Sequence, residues 1–341
     1  MKKLLSLFLI IALLLAGCGM DSPVVTTTAP ANPNLEVHFL DVGQADCALL
    51  SYGDTDILID GGNVEDSSYI VSYLQKQGVD QLDLVVCSHA HEDHVGGLAG
   101  VLAVFPTAEI WSPTTTYSSK CFDDFIRYAD QQDLTIQIPS PGKTASYGKL
   151  TLTVLGPVES YAETNNTSLV IKATFGSRSV LFTGDMETDA ENDLLEAGAN
   201  VKADVLKVGH HGSDTSTGYR FLYEVDPQYG VISVGEGNSY GHPHEEPLSR
   251  LHDAGVTLYR TDLLGAVVLC SDGETLEFSW ENTGKAPETG EEVSHYIGNI
   301  NSKIFHLPSC SGLPAEKNRI TLESYDAALA GGYTPCSRCM K

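Results

Sequence analysis

Residues Leu82 to Cys87 are apolar apart from Asp83, and they run directly into Ser88-His89-Ala90-His91-Glu92-Asp93-His94. Three imidazoles and a carboxylate therefore fall within six residues at the end of a buried strand. Neutral imidazole and carboxylate are good ligands for zinc, manganese or iron. Closely spaced ligands on a turn can point at two neighbouring metal positions. A solvated polar loop is the bland alternative, but four ligand-type side chains abutting an apolar strand argue for metal. Gly96 and Gly97 follow at once.

Further candidates also stand at strand ends. Asp60-Gly61-Gly62 follows Ile57–Ile59. Phe182-Thr183-Gly184-Asp185 ends another apolar run, and Gly184 lets the backbone bend close to a metal. Asp185 also fits a helix N-cap before Met186 to Ala197. Val208-Gly209-His210-His211-Gly212-Ser213 offers paired imidazoles after a strand. In Asn238-Ser239-Tyr240-Gly241-His242-Pro243-His244, Gly241 and Pro243 restrict the loop that carries His242 and His244.

The start of the chain reads as a targeting segment. Lys2 and Lys3 precede an apolar run, Leu4 to Leu15, too short to span a bilayer comfortably. Leu15-Ala16-Gly17-Cys18 resembles a bacterial lipobox, which implies cleavage after residue 17 and a membrane anchor through lipid on Cys18. Residues 18–34, rich in Thr, Pro, Ala and Asn, form a tether.

Strands are expected at 35–40, 48–52, 57–59, 82–87, 150–155, 168–175, 179–183, 204–208, 229–234, 266–270 and 275–278. Helices are expected at 67–77, 96–105, 187–197, 217–225 and 245–254. Helices interspersed among strands, with no long repeat, imply one layered α/β (α+β) domain over 35–280. Residues 281–294 are an acidic, turn-rich linker, and 295–341 form a small module. The formal charge of −25 repels polyanions at long range and counts against a protein that coats nucleic acid. Bound dications would reverse that sign locally, so a phosphodiester-handling enzyme is still compatible. There is no P-loop, no dinucleotide fingerprint and no reliable sign of a serine nucleophile.

The spacing His-x-His-x-Asp-His after a strand, with Asp60-Gly61-Gly62 upstream, resembles the signature of the metallo-β-lactamase superfamily. The resemblance implies an αβ/βα sandwich with metals at one edge between two sheets. It implies that Asp185 bridges two ions. Asp93, His94, Asp185 and one of His210 or His211 would hold one ion, with His210 favoured. His89, His91 and Asp185 would hold the other. Leu40-Asp41-Val42-Gly43-Gln44-Ala45-Asp46, His-His-Gly-Ser at 210–213 and the 238–244 loop resemble the ComEC-type competence metallohydrolases and the related choline-phosphate esterases. Asn165-Asn166 stands where many superfamily members carry a further His, which makes Asn166 a candidate ligand through its amide oxygen. These kinships imply two divalent ions, zinc or manganese, roughly 3.5–4 Å apart and activating water. His242 or His244 would bind a substrate phosphate or protonate the leaving oxygen.

The C-terminal module has its own set. His306-x3-Cys310 and Cys336-x2-Cys339 suit a closed, structural zinc site. So small a module has little core and needs a staple. Disulfides are the alternative, given an oxidising exterior. The surrounding residues resemble Ada-like metal-binding modules. The expected activity is that of a secreted phosphodiesterase, acting as a DNase. Hydrolysis of a small surface ester, such as choline phosphate or a lactone, and non-enzymatic binding are the competing readings.

Overall fold

A computed structural model describes residues 34–290, 293, 295–308 and 310–340. The expected leader, Cys18 and the tether up to residue 33 lie outside the described residues. In chain order the strands open with β1 (Leu35–Phe39), β2 (Ala48–Tyr52), β3 (Thr55–Ile59), β4 (Leu84–Val86), β5 (Ile110–Trp111) and β6 (Ile136–Gln137). There follow β7 (Thr144–Tyr147), β8 (Leu150–Gly156), β9 (Val170–Phe175), β10 (Arg178–Phe182), β11 (Val205–Lys207), β12 (Tyr229–Ile232) and β13 (Thr257–Arg260). Next come β14 (Val267–Ser271), β15 (Leu276–Trp280) and β16 (Glu288–Thr289). The helices that matter here are α1 (Ser67–Gln77), α2 (Glu92–Val95), α3 (Leu98–Leu102), α4 (Lys120–Gln131), α5 (Thr188–Glu196), α6 (Tyr219–Val225) and α7 (Glu245–Asp253).

The strands make two eight-stranded sheets, ordered β15-β14-β1-β2-β3-β4-β5-β6 and β16-β13-β12-β11-β10-β9-β8-β7. In the first, β3 to β6 run parallel; in the second, β10 to β13 do. The sheets share one apolar core that includes Phe39, Trp111, Phe175 and Phe182. A second core seals α1, α3 and α4 onto the first sheet through Leu74, Leu98 and Phe125. A third seals α5, α6 and α7 onto the second through Leu194, Phe221 and Leu251. This is the expected αβ/βα sandwich. It places the carboxyl ends of the parallel strands of both sheets beside one another, where α/β proteins build their sites.

The helix boundaries follow local chemistry. α1 covers the predicted span, and Gly78 closes it at φ +83°. The sequence reading assigns nothing to 106–149, yet α4 lies there. Ser119 caps it by accepting from Phe122 N, and Cys121, Phe122, Phe125 and Ala129 bury one face. The 281–294 segment is not a bare linker, because Glu288–Thr289 pairs with β13 as an edge strand.

The last residues form a four-stranded sheet with β17 (Tyr296–Asn299), β18 (Ile304–His306), β19 (Arg319–Leu322) and β20 (Thr334–Pro335), covered by α9 (Tyr325–Ala330); α8 (Thr261–Leu264) precedes β14. This module packs on α6. The rings of Tyr223 and Tyr325 are 4.4 Å apart, and the hydroxyls of Tyr219 and Tyr296 share a hydrogen bond. Among the described residues no helix is long and apolar enough to cross a membrane.

Candidate metal centre

Five loops converge on one edge of the sandwich. β3 ends at Asp60, β4 leads to His89, β10 to Asp185, β11 to His210 and His211, and β12 to the 238–244 loop. Tight packing of the loops depends on glycine. A Cβ at Gly97 would lie 2.1 Å from the Gly61 carbonyl oxygen. Gly184 turns at φ +51°, and a Cβ there would meet Ser168 Oγ at 2.8 Å. That hydroxyl instead accepts from Asp185 N at 3.1 Å and fixes the carboxylate's base.

Asp185 lies between two groups of imidazoles. Its Oδ1 is 3.2 Å from His94 Nε2 and 3.7 Å from His211 Nε2. Its Oδ2 faces His210 Nε2 at 3.6 Å and His89 Nε2 at 3.9 Å. Ligand atoms of Asp93, His94, Asp185 and His211 all lie within 4.8 Å of one another. His94 Nε2, Asp185 Oδ1 and His211 Nε2 are buried, and none has a hydrogen-bond partner. Buried polar atoms without partners are costly. Three of them converging on one point fit a divalent cation. His91 Nδ1 stands 3.0 Å from His89 Nε2, and two ring nitrogens so placed must share a proton or a cation.

The far side of each imidazole is braced. Asp60 Oδ2 holds His94 Nδ1 at 2.9 Å, while its Oδ1 accepts from Ser88 N at 2.7 Å. His211 Nδ1 donates to the Ser233 carbonyl at 2.9 Å and lies 3.3 Å from Asp46 Oδ1. Asp46 is in turn paired with Lys207 at 2.8 Å, both nearly fully buried. Such partners set the tautomer and aim Nε2 inward. Asp46 is legible in the sequence only as part of its motif, and the role of Lys207 is not; its signal there is a lysine within the apolar run Val205–Val208.

Charge follows the same geometry. Burial would raise the Asp185 carboxyl, but His94 and His211 outweigh it and hold it well below the usual carboxylate range. Asp93 is likewise held at about 2 against burial, chiefly by His94. Burial lowers His211, yet Asp185 and Asp46 raise it to about 10. His94 rises for similar reasons, opposed by burial and driven by Asp185 and Asp60. Burial and then the neighbouring His94 push His89 down, so its ring stays neutral.

Three expectations need correction. The paired histidines resolve in favour of His211, which joins Asp93 and His94; His210 sits at the outer face of Asp185, with Nδ1 3.2 Å from Thr215 Oγ1. Both take left-handed backbone angles, φ +48° and +53°, which turn neighbouring rings to opposite sides of Asp185. Asn166 points away, since its Oδ1 accepts from Glu187 N at 2.9 Å. Its neighbour Asn165 lines the cleft instead, with a buried Oδ1 that has no partner. His244 is occupied by backbone: Nδ1 accepts from Asp214 N at 3.0 Å and Nε2 meets the Tyr240 carbonyl at 3.2 Å. His242 does line the cleft, of about 360 Å³, with His91, Asp93, Asp185, His210 and His211. Gln44 Nε2 donates to His242 Nδ1 at 3.2 Å, which leaves the proton on Nε2. Burial, then His210 and His211, lower His242 to about 4.

In the C-terminal module, ligand atoms of His306, Cys310, Cys336 and Cys339 also lie within 4.8 Å of one another. The cysteines are free thiols. Gly312 N donates to Cys310 Sγ at 3.3 Å and Arg338 N to Cys336 Sγ at 3.4 Å. Burial opposes ionisation of Cys336, but the N–H groups of Arg338 and Cys339 outweigh it and favour the thiolate. One imidazole and three thiols in reach of a single point suit tetrahedral zinc.

Residues 40–236 match the sequence profile of the metallo-beta-lactamase superfamily. The chain belongs to that superfamily. Residues 288–341 match the metal binding domain of Ada. Three curated competence and recombination proteins are similar to the metallo-β-lactamase part. ComE operon protein 3 of Bacillus subtilis is 31% identical over 251 residues, covering 68% of this chain and 32% of its own. Recombination protein 2 of Haemophilus influenzae is 32% identical over 266 residues, covering 75% and 31%. Competence protein ComA of Neisseria gonorrhoeae is 32% identical over 260 residues, covering 75% and 34%. The chain thus spans about a third of the length of these relatives. Membership makes it a metallo-β-lactamase-fold hydrolase that binds divalent metal, with a further zinc-type site in the Ada-like module.

Proposed function

We propose that this metallo-β-lactamase-fold protein is a metal-dependent phosphodiesterase acting on nucleic acid outside the cell, held at the membrane by lipid on Cys18. The observation that carries the reading is the split of the Asp185 carboxylate between two sets of imidazoles. Asp93, His94 and His211 with Oδ1 would hold one divalent ion, zinc or manganese. His89, His91 and Oδ2, with Asn165 or His210 completing the shell, would hold another. Bound ions supply Lewis-acid polarisation of a phosphoryl oxygen and lower the pKa of water, so that a nucleophile exists at neutral pH. His242 carries its proton on Nε2, stays neutral at pH 7 and donates a hydrogen bond to a non-bridging phosphate oxygen. Asp60 and Asp46 hold His94 and His211 in register. The relatives are competence and recombination proteins, which supports a nucleic-acid substrate.

The net charge of −25 favours a second reading, hydrolysis of a small surface ester. The test is cleavage of labelled single- and double-stranded DNA by the purified chain with added Mn²⁺ or Zn²⁺, beside Asp185→Asn, with metal content measured in both. Cutting by the metal-loaded wild type, lost in the variant, is the expected result. A metal-loaded wild type that leaves DNA intact but turns over small phosphoesters or lactones would transfer the assignment to the second reading.

A further inference from the structure

Tyr240 is 68% exposed, more than any other large hydrophobic residue among those described. Single exposed aromatics are ordinary on a protein surface, so what matters is where this one stands. Its loop is fixed. The Asn238 side chain donates to the carbonyls of Gly235 at 2.9 Å and His242 at 2.6 Å, and accepts from Tyr240 N at 3.1 Å and His242 N at 3.0 Å. The Tyr240 ring lies over His242, centroids 5.7 Å apart and planes within 28°. An aromatic face is therefore held rigidly at the lip of the metal cleft.

A second cleft of about 700 Å³ opens beyond that lip. It shares Gln44, Glu92, Asp93 and Tyr240 with the metal cleft and extends over Asn63, half-exposed Val64 and Glu65. Its chemistry is apolar and acidic. Glu65 and Glu92 repel a second phosphate, but carboxylates accept hydrogen bonds from exocyclic amines. The cleft suits a flat, uncharged ring with amino groups on its edge, immediately next to a phosphate at the metals.

We propose that Tyr240 is a stacking platform for the nucleobase beside the scissile phosphate, with the base edge turned toward Glu65 and Glu92. The inference rests on the phosphodiesterase reading and narrows its substrate to unpaired strands. In a duplex both faces of that base are already stacked, so the platform selects single-stranded ends or gaps. Base–aromatic stacking accepts any base, because every base has a π-face, while the two carboxylates favour bases that carry an exocyclic amine.

The test compares a dinucleotide with the same molecule lacking one base, using the metal-loaded full chain, Tyr240→Ala and Tyr240→Phe. Wild type should prefer the base-bearing substrate in kcat/KM. Tyr240→Ala should lower that preference by roughly 5- to 150-fold, and Tyr240→Phe should keep most of it. Circular dichroism and metal content identify any variant that fails to fold. Equal wild-type rates on both dinucleotides, or equal slowing of both by Tyr240→Ala, overturn the stacking inference and leave the phosphodiesterase reading intact. Failure of wild type to cut either dinucleotide overturns the stacking inference, and the phosphodiesterase reading falls with it only where labelled single- and double-stranded DNA is also left intact. A Tyr240 dependence confined to a choline phosphodiester also overturns the stacking inference, because the ring would then face a cation.

Discussion

Replacing Lys207 with Met isolates the interaction that braces His211. Lys207 and Asp46 are 3% and 5% exposed, and their charged atoms are 2.8 Å apart. Burial drives the Asp46 carboxyl up, but Lys207 and then His211 outweigh it and hold it ionised, below the usual range. Methionine keeps most of the unbranched apolar stem and removes the charge. Asp46 is then left with His211 and His94 as its positive neighbours in a region that also holds Asp60, Asp93 and Asp185. Breaking one side of a buried ion pair costs about 3–5 kcal/mol, a large share of the ~5–15 kcal/mol that holds a domain folded. Urea unfolding in chelator, followed through Trp111 in the shared core, should show that loss. The Asp46→Asn, Lys207→Met double variant removes both charges and should recover about 2 kcal/mol or more relative to additivity. A single-variant loss below about 1 kcal/mol, or strict additivity in the double variant, would refute the assignment of Lys207 and Asp46 as a coupled pair.

Two further predictions concern protons. His211 is raised to about 10, and His94 is also raised, so both are protonated without metal at pH 7. Metal must displace those protons; Mn²⁺, which thiols bind poorly, titrated by calorimetry in buffers of different ionisation enthalpy should release about two at this centre, apart from those the C-terminal thiols give up to zinc, with affinity rising with pH. No release would contradict the proposed ligand pair. Glu191 is buried and raised to about 7 by that burial, against N–H donors from Gly218 and Thr217. Its folded pKa lies above the unfolded one, so between about pH 4.5 and 7 the native state binds the extra proton. Stability from this group therefore falls as pH rises through that window, by at most about 3 kcal/mol. Unfolding across the window should show that slope in the wild type and not in Glu191→Gln; identical slopes would remove Glu191 from the account.

The ligand-rich turn and its setting were legible from the sequence. His89, His91, Asp93 and His94 sit so close along the chain that local spacing alone brings them together after β4. The same holds for strands and helices with strong periodicity, such as α1, and for the His306, Cys310, Cys336 and Cys339 set. α4 went unread although its cap and apolar face were present, because nothing in the flanking residues drew attention to that stretch. What tertiary structure alone decided were choices between sequence neighbours. His211 joins Asp93 and His94 while His210 faces the other oxygen of Asp185, because left-handed backbone angles send adjacent rings to opposite sides; Asn165 lines the cleft while Asn166 Oδ1 is taken by Glu187 N. His244 is set apart from His242 by the backbone N–H of Asp214, 30 residues away in the chain, together with the nearby Tyr240 carbonyl. The pairing of Asp46 with Lys207 joins a loop of the first sheet to a strand of the second. No periodicity encodes such a contact, because it exists only once the two sheets have closed on their common core.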